Sequence, residues 1–356
     1  MAKQWQGVLR EYAQQLGVTD ASTVVTLGEG GTPLIESRAL SAMTGARVHV
    51  KFEGLNPTGS FKDRGMTVAV SRAIERGAQA VACASTGNTS ASAAAYAAAA
   101  GIQAIVLVPE GRIAMGKLAQ SVVHGARIVQ VRGNFDDCLE ISKELAERYP
   151  VHLVNSVNDD RIEGQKTASF ELIDVLGDAP DIHIMPVGNA GNITGYWRGF
   201  TEAERAGTAT KRPRMLGFQA AGSAPIVRGE VVREPDTIAT AIRIGNPASW
   251  QQALAARDES GGDIRAIDDA DILQAQRLLA SSTGVFVEPA SAISVAGLLQ
   301  AHAAGEIPAD ATVTLTVTGH GLKDAQWGLK GDDGQDATPE VADAETTAVA
   351  ELLGLS

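Results

Sequence analysis

Lys62 stands near the end of GLNPTGSFKD (residues 54–63), where Pro57 and Gly59 define a turn, Ser60 can cap a helix and the lysine occupies that helix's first turn. A cation there opposes the positive end of the helix dipole at a cost of about a few tenths of a kcal/mol, and its pKa falls. A depressed pKa is what an imine-forming amine needs; a solvated surface lysine is the plainer alternative. The second segment, ASTGNTS (84–90), is a loop of small hydroxyl and amide residues whose backbone N–H groups around Ser85 and Thr86 suit a carboxylate at a helix N-terminus. Asn88 adds an amide able to donate to a ring oxygen, although an ordinary capping loop has much the same composition. The third, PVGNAGNI (186–193), opens a helix after a strand, and Gly188, Asn189, Ala190, Gly191 and Asn192 make a phosphate cradle. It lacks the GK[ST] ending of nucleotide loops and the third glycine of a dinucleotide fingerprint, so it suits one phosphate monoester, with a plain strand-to-helix turn as the alternative. The fourth, TLTVTGHGLK (314–323), ends a strand at Thr318 and bends across the crevice on two glycines. His320 there reads as a cap or rim residue, and the six histidines show no metal-ligand spacing.

An amine on a helix start, a carboxylate loop, a phosphate cup and a strand-end hydroxyl describe a site for a phosphorylated aldehyde cofactor and an amino acid. Pyridoxal 5′-phosphate fits all four. Such a site needs strands that deliver its parts. Short apolar runs rich in Val and Ile predict strands at 47–52, 80–84, 102–108, 127–131, 152–154, 182–186, 214–218 and 312–317. Segments of helical period predict helices at 62–76, 89–100, 116–124, 135–148, 164–176, 191–206, 268–281 and 290–304. The alternation predicts an α/β protein with parallel sheets covered on both faces and ligands beyond the carboxyl ends of the strands. The polar stretch NSVNDDR (155–161) interrupts the pattern and marks a lobe boundary. Residues 1–50 and 155–330 are expected to form a large domain with the phosphate cup, 51–154 a smaller domain with the lysine and the carboxylate loop, and 331–356 an acidic tail with one short helix at 347–353.

At 356 residues, 44% hydrophobic and 20% charged, the chain suffices for two packed lobes and fits neither disorder nor a fibre. Thirty basic against 42 acidic residues give −12; the segment 331–356 holds seven acids and no Lys or Arg, and without it the rest is near −5, so nothing attracts nucleic acid. Cys83 and Cys138 lie outside any CxxC spacing and read as free thiols of a reducing compartment. The opening MAKQWQGVLREYAQQLG lacks an apolar core, and the most apolar run, 93–108, is broken by Gly101 and Gln103. A cytoplasmic protein without membrane partners is expected.

LGEGGTPL (27–34), NPTGSFKDRG (56–65), ASTGNTSAS (84–92), VGNAGNI (187–193) and TGHGLKD (318–324) follow in order, and on them the chain resembles, over about residues 20–330, the threonine synthases of the short bacterial type, a family of fold-type II pyridoxal-phosphate enzymes. The SFKDRG and STGN elements are shared across that superfamily. The GEGGTPL opening and TGHGLK ending are narrower and favour threonine synthase over serine or threonine dehydratase and cysteine synthase. The resemblance implies two open, twisted, mostly parallel sheet lobes with the active site in the cleft between them, a homodimer, and pyridoxal 5′-phosphate as cofactor. It implies Lys62 as the Schiff-base lysine, Asn88 as partner of the ring 3′-oxygen, Gly188 to Asn192 as phosphate cup and Thr318 as partner of the pyridine nitrogen. The implied reaction converts O-phospho-L-homoserine and water to L-threonine and phosphate. Lys62 is displaced by the substrate amine and removes protons from Cα and Cβ, the γ-phosphate leaves, and water adds at Cβ.

That reaction requires a second phosphate site. It is expected at Asn155, Ser156 and Arg161, with Thr89 and Lys117 opposite, because a dianionic leaving group needs several donors and a cation; a solvated interlobe loop is the alternative. A dehydratase or cysteine synthase would need no such site and would tolerate loss of Arg161. A binding or sensor protein on an enzyme scaffold is opposed by the intact Lys62 and glycine cups. The roughly 26 residues after Lys330 are too few for a regulatory domain.

Overall fold

The computed structural model describes residues 4–111, 115–330 and 335–355, with side chains omitted for 115–117. Among the described residues ten strands form two sheets: β1 (Leu34–Glu36), β2 (Arg47–Phe52), β3 (Ala80–Ala84), β4 (Gln103–Pro109), β5 (Arg127–Val131), β6 (Val151–Leu153), β7 (Ile182–Pro186), β8 (Arg214–Ala220), β9 (Asp263–Ile267) and β10 (Thr312–Val317). The larger sheet has the order β1-β2-β10-β7-β8-β9 and the smaller β5-β4-β3-β6. Only β1 runs antiparallel, against β2; the other neighbouring pairs are parallel. The central strands are apolar on both faces because helices cover both: all of β3 and all of β7 are buried.

The eight expected strands all form, within two residues of their expected bounds. Two more lie outside that expectation. β1 is only LIE, and β9, DIRAI, is an edge strand whose Asp263 and Arg265 pair at its half-exposed surface, so neither reads as an apolar run. Helices Arg38–Thr44 and Trp250–Glu259 are likewise additional to the expected set. The tail carries helix Thr346–Leu352, which has no buried residue. Among the described residues no helix is long and apolar enough to cross a membrane.

The helices that carry the site are α1 (Lys62–Glu75), α2 (Asn88–Ala100), α3 (Asp159–Leu176), α4 (Gly191–Ala206) and α5 (Pro289–Ala303). α3 starts five residues before the expected 164, because the Asn158 side chain accepts from the Asp160 N–H and Asp159 and Asp160 suit the positive helix end. The polar run is therefore half turn and half helix rather than a loop throughout. α1 meets α3 almost backbone to backbone: a Cβ at Gly164 would fall 1.9 Å from the Arg64 carbonyl oxygen, and one at Gly65 would fall 2.6 Å from that of Arg161. α4 approaches α3 the same way, with a Cβ at Gly199 falling 2.4 Å from the Lys166 carbonyl oxygen. These crossings bring the N-terminal ends of α1, α3 and α4 together, and those ends carry Lys62, Arg161 and the glycine cup. α1 also joins two of the apolar clusters, Val68 packing with the one built on α3 and α4 and Met66, Ala69, Val70 and Ala73 with the one built on β3, β4 and α2.

Candidate active site

Lys62 is the first residue of α1, as its spacing predicts, and lines a cleft with Asn88, Ser156, Arg161, Gln165, Gly188 to Asn192 and Thr318. Its ammonium lies 4.3 Å from the Phe61 ring centroid, and among the described residues no carboxylate pairs with it. Desolvation lowers its pKa to about 7, the Arg161 charge adds to the fall, and Glu288 opposes it. Burial, more than the helix dipole invoked from sequence, makes this amine neutral near physiological pH. Ser60 does not cap α1: its buried hydroxyl has no partner, and the turn is held by Asp63, which accepts from Thr58 N at 2.7 Å, Thr58 Oγ1 at 2.6 Å and Ser92 Oγ at 2.5 Å.

Beyond β3, Asn88 begins α2 and its Nδ2 donates to both oxygens of Glu288, at 3.1 and 3.3 Å. Beyond β10, Thr318 Oγ1 lies 2.9 Å from Ser291 Oγ, which also accepts from the N–H groups of Thr318 and Gly319. His320 Nδ1 accepts from Leu322 N, and its ring stacks on Phe52 at 5.8 Å. It is a cap on the rim, as expected. Lys323 donates to the Thr58 carbonyl at 2.9 Å and to Gln120, tying this rim to helix Met115–Val123 of the smaller lobe.

The glycine cup follows β7 and opens α4. Ala190 takes the left-handed conformation (φ 64°) that a glycine would have been expected to hold. Gly188 is needed for packing, since a Cβ would lie 3.0 Å from Ile242 Cα. Gly191 is different: a Cβ there meets nothing nearer than Gln165 Oε1 at 3.9 Å, so the space over it is open. The first N–H groups of α4 have no intrahelical acceptor, and among the described residues the buried Asn192 Nδ2 has no partner.

Arg161 is 1% exposed, and among the described residues no carboxylate pairs with it. One terminal nitrogen donates to the Val154 carbonyl at 3.2 Å, Nε has no partner, and desolvation lowers its pKa to about 10. It is a helix residue packed in the interior, so the alternative of a solvated loop arginine falls. Ser156 shares the cleft. Asn155 is otherwise employed: its Oδ1 accepts from Ala84 N at 3.0 Å and its Nδ2 donates to Ala84 O at 3.1 Å, prolonging the β3–β6 pairing. Ser85, Thr86 and Thr89 do not line the cleft; Ser85 Oγ accepts from Gly87 N, and Thr89 is buried in α2. The Lys117 side chain lies outside the described residues. Sequence reasoning misses Gln165, Glu288 and Ser291. Gln165 follows Arg161 by one helical turn, and that spacing is the available signal. Its buried Oε1, like Asn192 Nδ2 and Arg161 Nε, has no partner.

Two buried anions and two buried cations support this arrangement from behind. Arg64 donates to Glu53 at 2.6 and 2.7 Å and to Glu171 at 2.5 and 2.8 Å, and Lys51 reaches Glu171 at 2.6 Å. Against desolvation, the charges of Arg64 and Lys51 hold the Glu171 carboxyl well below the usual range. The GEGGTPL segment is tied in by the same groups: Gly31 N donates to Glu171, Thr32 Oγ1 to Glu53, and the Glu29 carboxylate accepts from Val8 N and Tyr96 OH.

A family model described as "Pyridoxal-phosphate dependent enzyme" matches residues 25–319, and the chain belongs to that family. Its similarity extends to threonine synthases: that of Mycobacterium tuberculosis (strain H37Rv) is 59% identical over 353 residues, 99% of this chain and 97% of the relative, and that of Synechocystis is 55% identical over 336 residues, 94% and 87% of the two chains. Among solved structures, the processed form of threonine deaminase isoform 2 from Solanum lycopersicum superposes with a TM-score of 0.72 at 19% identity, covering 98% of this chain and 89% of that one, a likeness of fold. Pyridoxal phosphate is the cofactor of this family, and the cleft suits it. Buried donors without partners, the open space over Gly191 and an amine held near neutrality are what a phosphorylated aldehyde requires.

Proposed function

We propose that this chain is a threonine synthase, a carbon–oxygen lyase that converts O-phospho-L-homoserine and water to L-threonine and phosphate in amino-acid biosynthesis. The observation that carries the reading beyond the family is Arg161, a buried cation beside Lys62 that has no carboxylate partner among the described residues and lines the same cleft as the glycine cup. One cup suffices for a phosphorylated cofactor; a second buried cation suits a second phosphate.

In this reading Lys62 would attach the cofactor, Gly188 to Asn192 would hold its phosphate, Asn88 would face its 3′-oxygen and Thr318, steadied by Ser291, would face its ring nitrogen. When bound, the cofactor supplies an aldehyde that condenses with amines and a ring that withdraws electrons from the bonds around Cα. A hydroxyl partner at the ring nitrogen makes that withdrawal mild, so proton traffic falls on Lys62. With a pKa of about 7 it takes the proton from Cα, gives that proton up and then takes one from Cβ, returns one at Cγ once phosphate has left, and water adds its hydroxyl at Cβ. Arg161 and Ser156 hold the γ-phosphate and stabilise the charge that grows as its bond breaks. Asn155 shapes this loop through Ala84 rather than donating to phosphate, and Ser85, Thr86 and Thr89, although outside the lining of the cleft, lie at the N-terminal end of α2, where this reading puts the substrate carboxylate. Lys117 is proposed on the phosphate's far side.

The same reading keeps residues 51–154 as the smaller domain, 1–50 and 155–330 as the larger and 331–356 as a tail, and it places the enzyme in the cytoplasm as a homodimer. The test is phosphate release from O-phosphohomoserine with threonine identified as product. Ammonia and a 2-oxo acid from serine or threonine, with no phosphate released, would mark a dehydratase instead.

A further inference from the structure

Glu288 lies immediately before α5 and is 2% exposed. Its backbone N–H donates to the Gly319 carbonyl at 3.1 Å, and a Cβ at Gly319 would fall 2.4 Å from its Oε1, so the carboxylate is wedged against the strand end that carries Thr318. Across the cleft its two oxygens receive Nδ2 of Asn88. An amide nitrogen has two protons; with one committed to Glu288, the other remains for an acceptor in the cleft, and the amide cannot flip its oxygen inward without facing a carboxylate. Among the described residues the charges that act on Lys62 are Arg161 from α3 and Glu288 from the start of α5, and Lys323 of the rim in turn feels Glu288 and Asp63. Asp63 is turned to Thr58 and Ser92. Among the described residues Glu288 is the anion that opposes Arg161 at the amine.

We propose that Glu288 is a positioning residue of the active site, orienting the Asn88 amide toward the cofactor and supplying the negative charge that faces Lys62 opposite Arg161. This rests on the pyridoxal-phosphate site described above.

Glu288→Gln, Glu288→Ala, Asn88→Ala and the Glu288→Ala/Asn88→Ala double variant separate the two effects. In cofactor-free protein, the pH midpoint for modification of Lys62 by an amine-specific reagent, read by peptide mass spectrometry, should fall by about one pH unit in both Glu288 variants, since an opposing charge has been removed. Cofactor dissociation, read from visible absorbance, should weaken about tenfold in Glu288→Ala and less in Glu288→Gln, which keeps an acceptor for Asn88. The double variant should be no weaker than the weaker single one, because both substitutions undo one oriented hydrogen bond. Should Glu288→Ala fold poorly, the near-isosteric Gln variant carries the Lys62 measurement alone. An unmoved Lys62 midpoint in folded Glu288→Gln, or additive losses in the double variant, would overturn the proposal. Borohydride labelling of wild-type holoenzyme at a lysine other than Lys62 would instead overturn the site assignment beneath it.

Discussion

Replacing Arg161 by methionine removes a charge while retaining most of a buried side chain, so its effect on substrate can be read apart from its effect on packing. The guanidinium is nearly fully buried, and among the described residues it has one hydrogen bond, to the Val154 carbonyl, and leaves Nε without a partner. Burial without a counter-ion is destabilising, as the fall of its pKa to about 10 also indicates. A phosphate dianion arriving there supplies the missing partner through charge-assisted, often bidentate hydrogen bonds. Losing one such contact in a largely desolvated cleft costs about 2–4 kcal/mol, or roughly 30- to 1000-fold in kcat/KM. Two signs are therefore expected together. Arg161→Met should lose kcat/KM for O-phosphohomoserine by that factor in a steady-state phosphate-release assay, with the cofactor's visible spectrum unchanged, and the cofactor-free protein should melt at a higher temperature than wild type. A structural arginine would give the opposite pair, a lower melting temperature and near-normal kinetics. A kinetic loss under about threefold would refute the second phosphate site and with it much of the preference for threonine synthase over a dehydratase.

Lys62→Ala should abolish turnover while the chain still folds, with borohydride labelling Lys62 in wild type and no lysine in the variant. Lys62 also predicts a pH dependence: the unfolded chain holds its proton to the ordinary 10.5 and the fold only to about 7, so cofactor-free protein should gain stability as pH rises through that window, and denaturant titrations of Lys62→Ala should show the rise removed. Gly191→Val should weaken pyridoxal phosphate binding while leaving the melting temperature of cofactor-free protein within a degree or two of wild type, because a side chain there enters open space rather than protein; unchanged affinity by titration would move the cup elsewhere. Glu171→Ala should lower stability by about 3–5 kcal/mol in urea unfolding, since it strands Lys51 and part of the Arg64 pairing in the interior. A loss below about 1 kcal/mol would count against a closed buried network.

Much of the fold is legible because parallel strands buried on both faces write themselves as short Val/Ile runs, and each site segment follows such a run. Lys62, Asn88, the glycine cup and Thr318 are legible for the same reason: each is marked locally, by a turn, a cap or a glycine beside a strand end. What is not legible comes from pairings between distant elements. Nothing near Glu288 in sequence announces Asn88, 200 residues away, and Ser291 reaches Thr318 only because α5 packs on the end of β10. Asn155 misleads in the same way, since its amide looks free in sequence and is consumed by Ala84 in the fold. Arg161 reads as a loop residue because a strongly polar run hides a helix start when the cap and the first turn are all acids and amides.

Lys62 and Arg64 lie two residues apart on α1, and the difference between their surroundings explains how the fold tolerates an active site. α3 lies across both. Its residue 161 faces Lys62 as a second cation, and its residue 171 faces Arg64 as an anion joined by Glu53. The close crossing through Gly65 and Gly164 prevents either pair from relaxing by separation, so the repulsion at Lys62 is retained while the attraction at Arg64 holds the helices in register. Hydrogen bonds that satisfy every donor of Arg64 leave nothing there for a ligand; unsatisfied donors at Arg161 and Asn192 leave the cleft in want of one. Stability and function are thus set on opposite ends of one helix contact. A chain that balanced Lys62 as fully as it balances Arg64 would fold more stably and would hold its amine protonated, unable to take the proton from Cα that the proposed reaction needs.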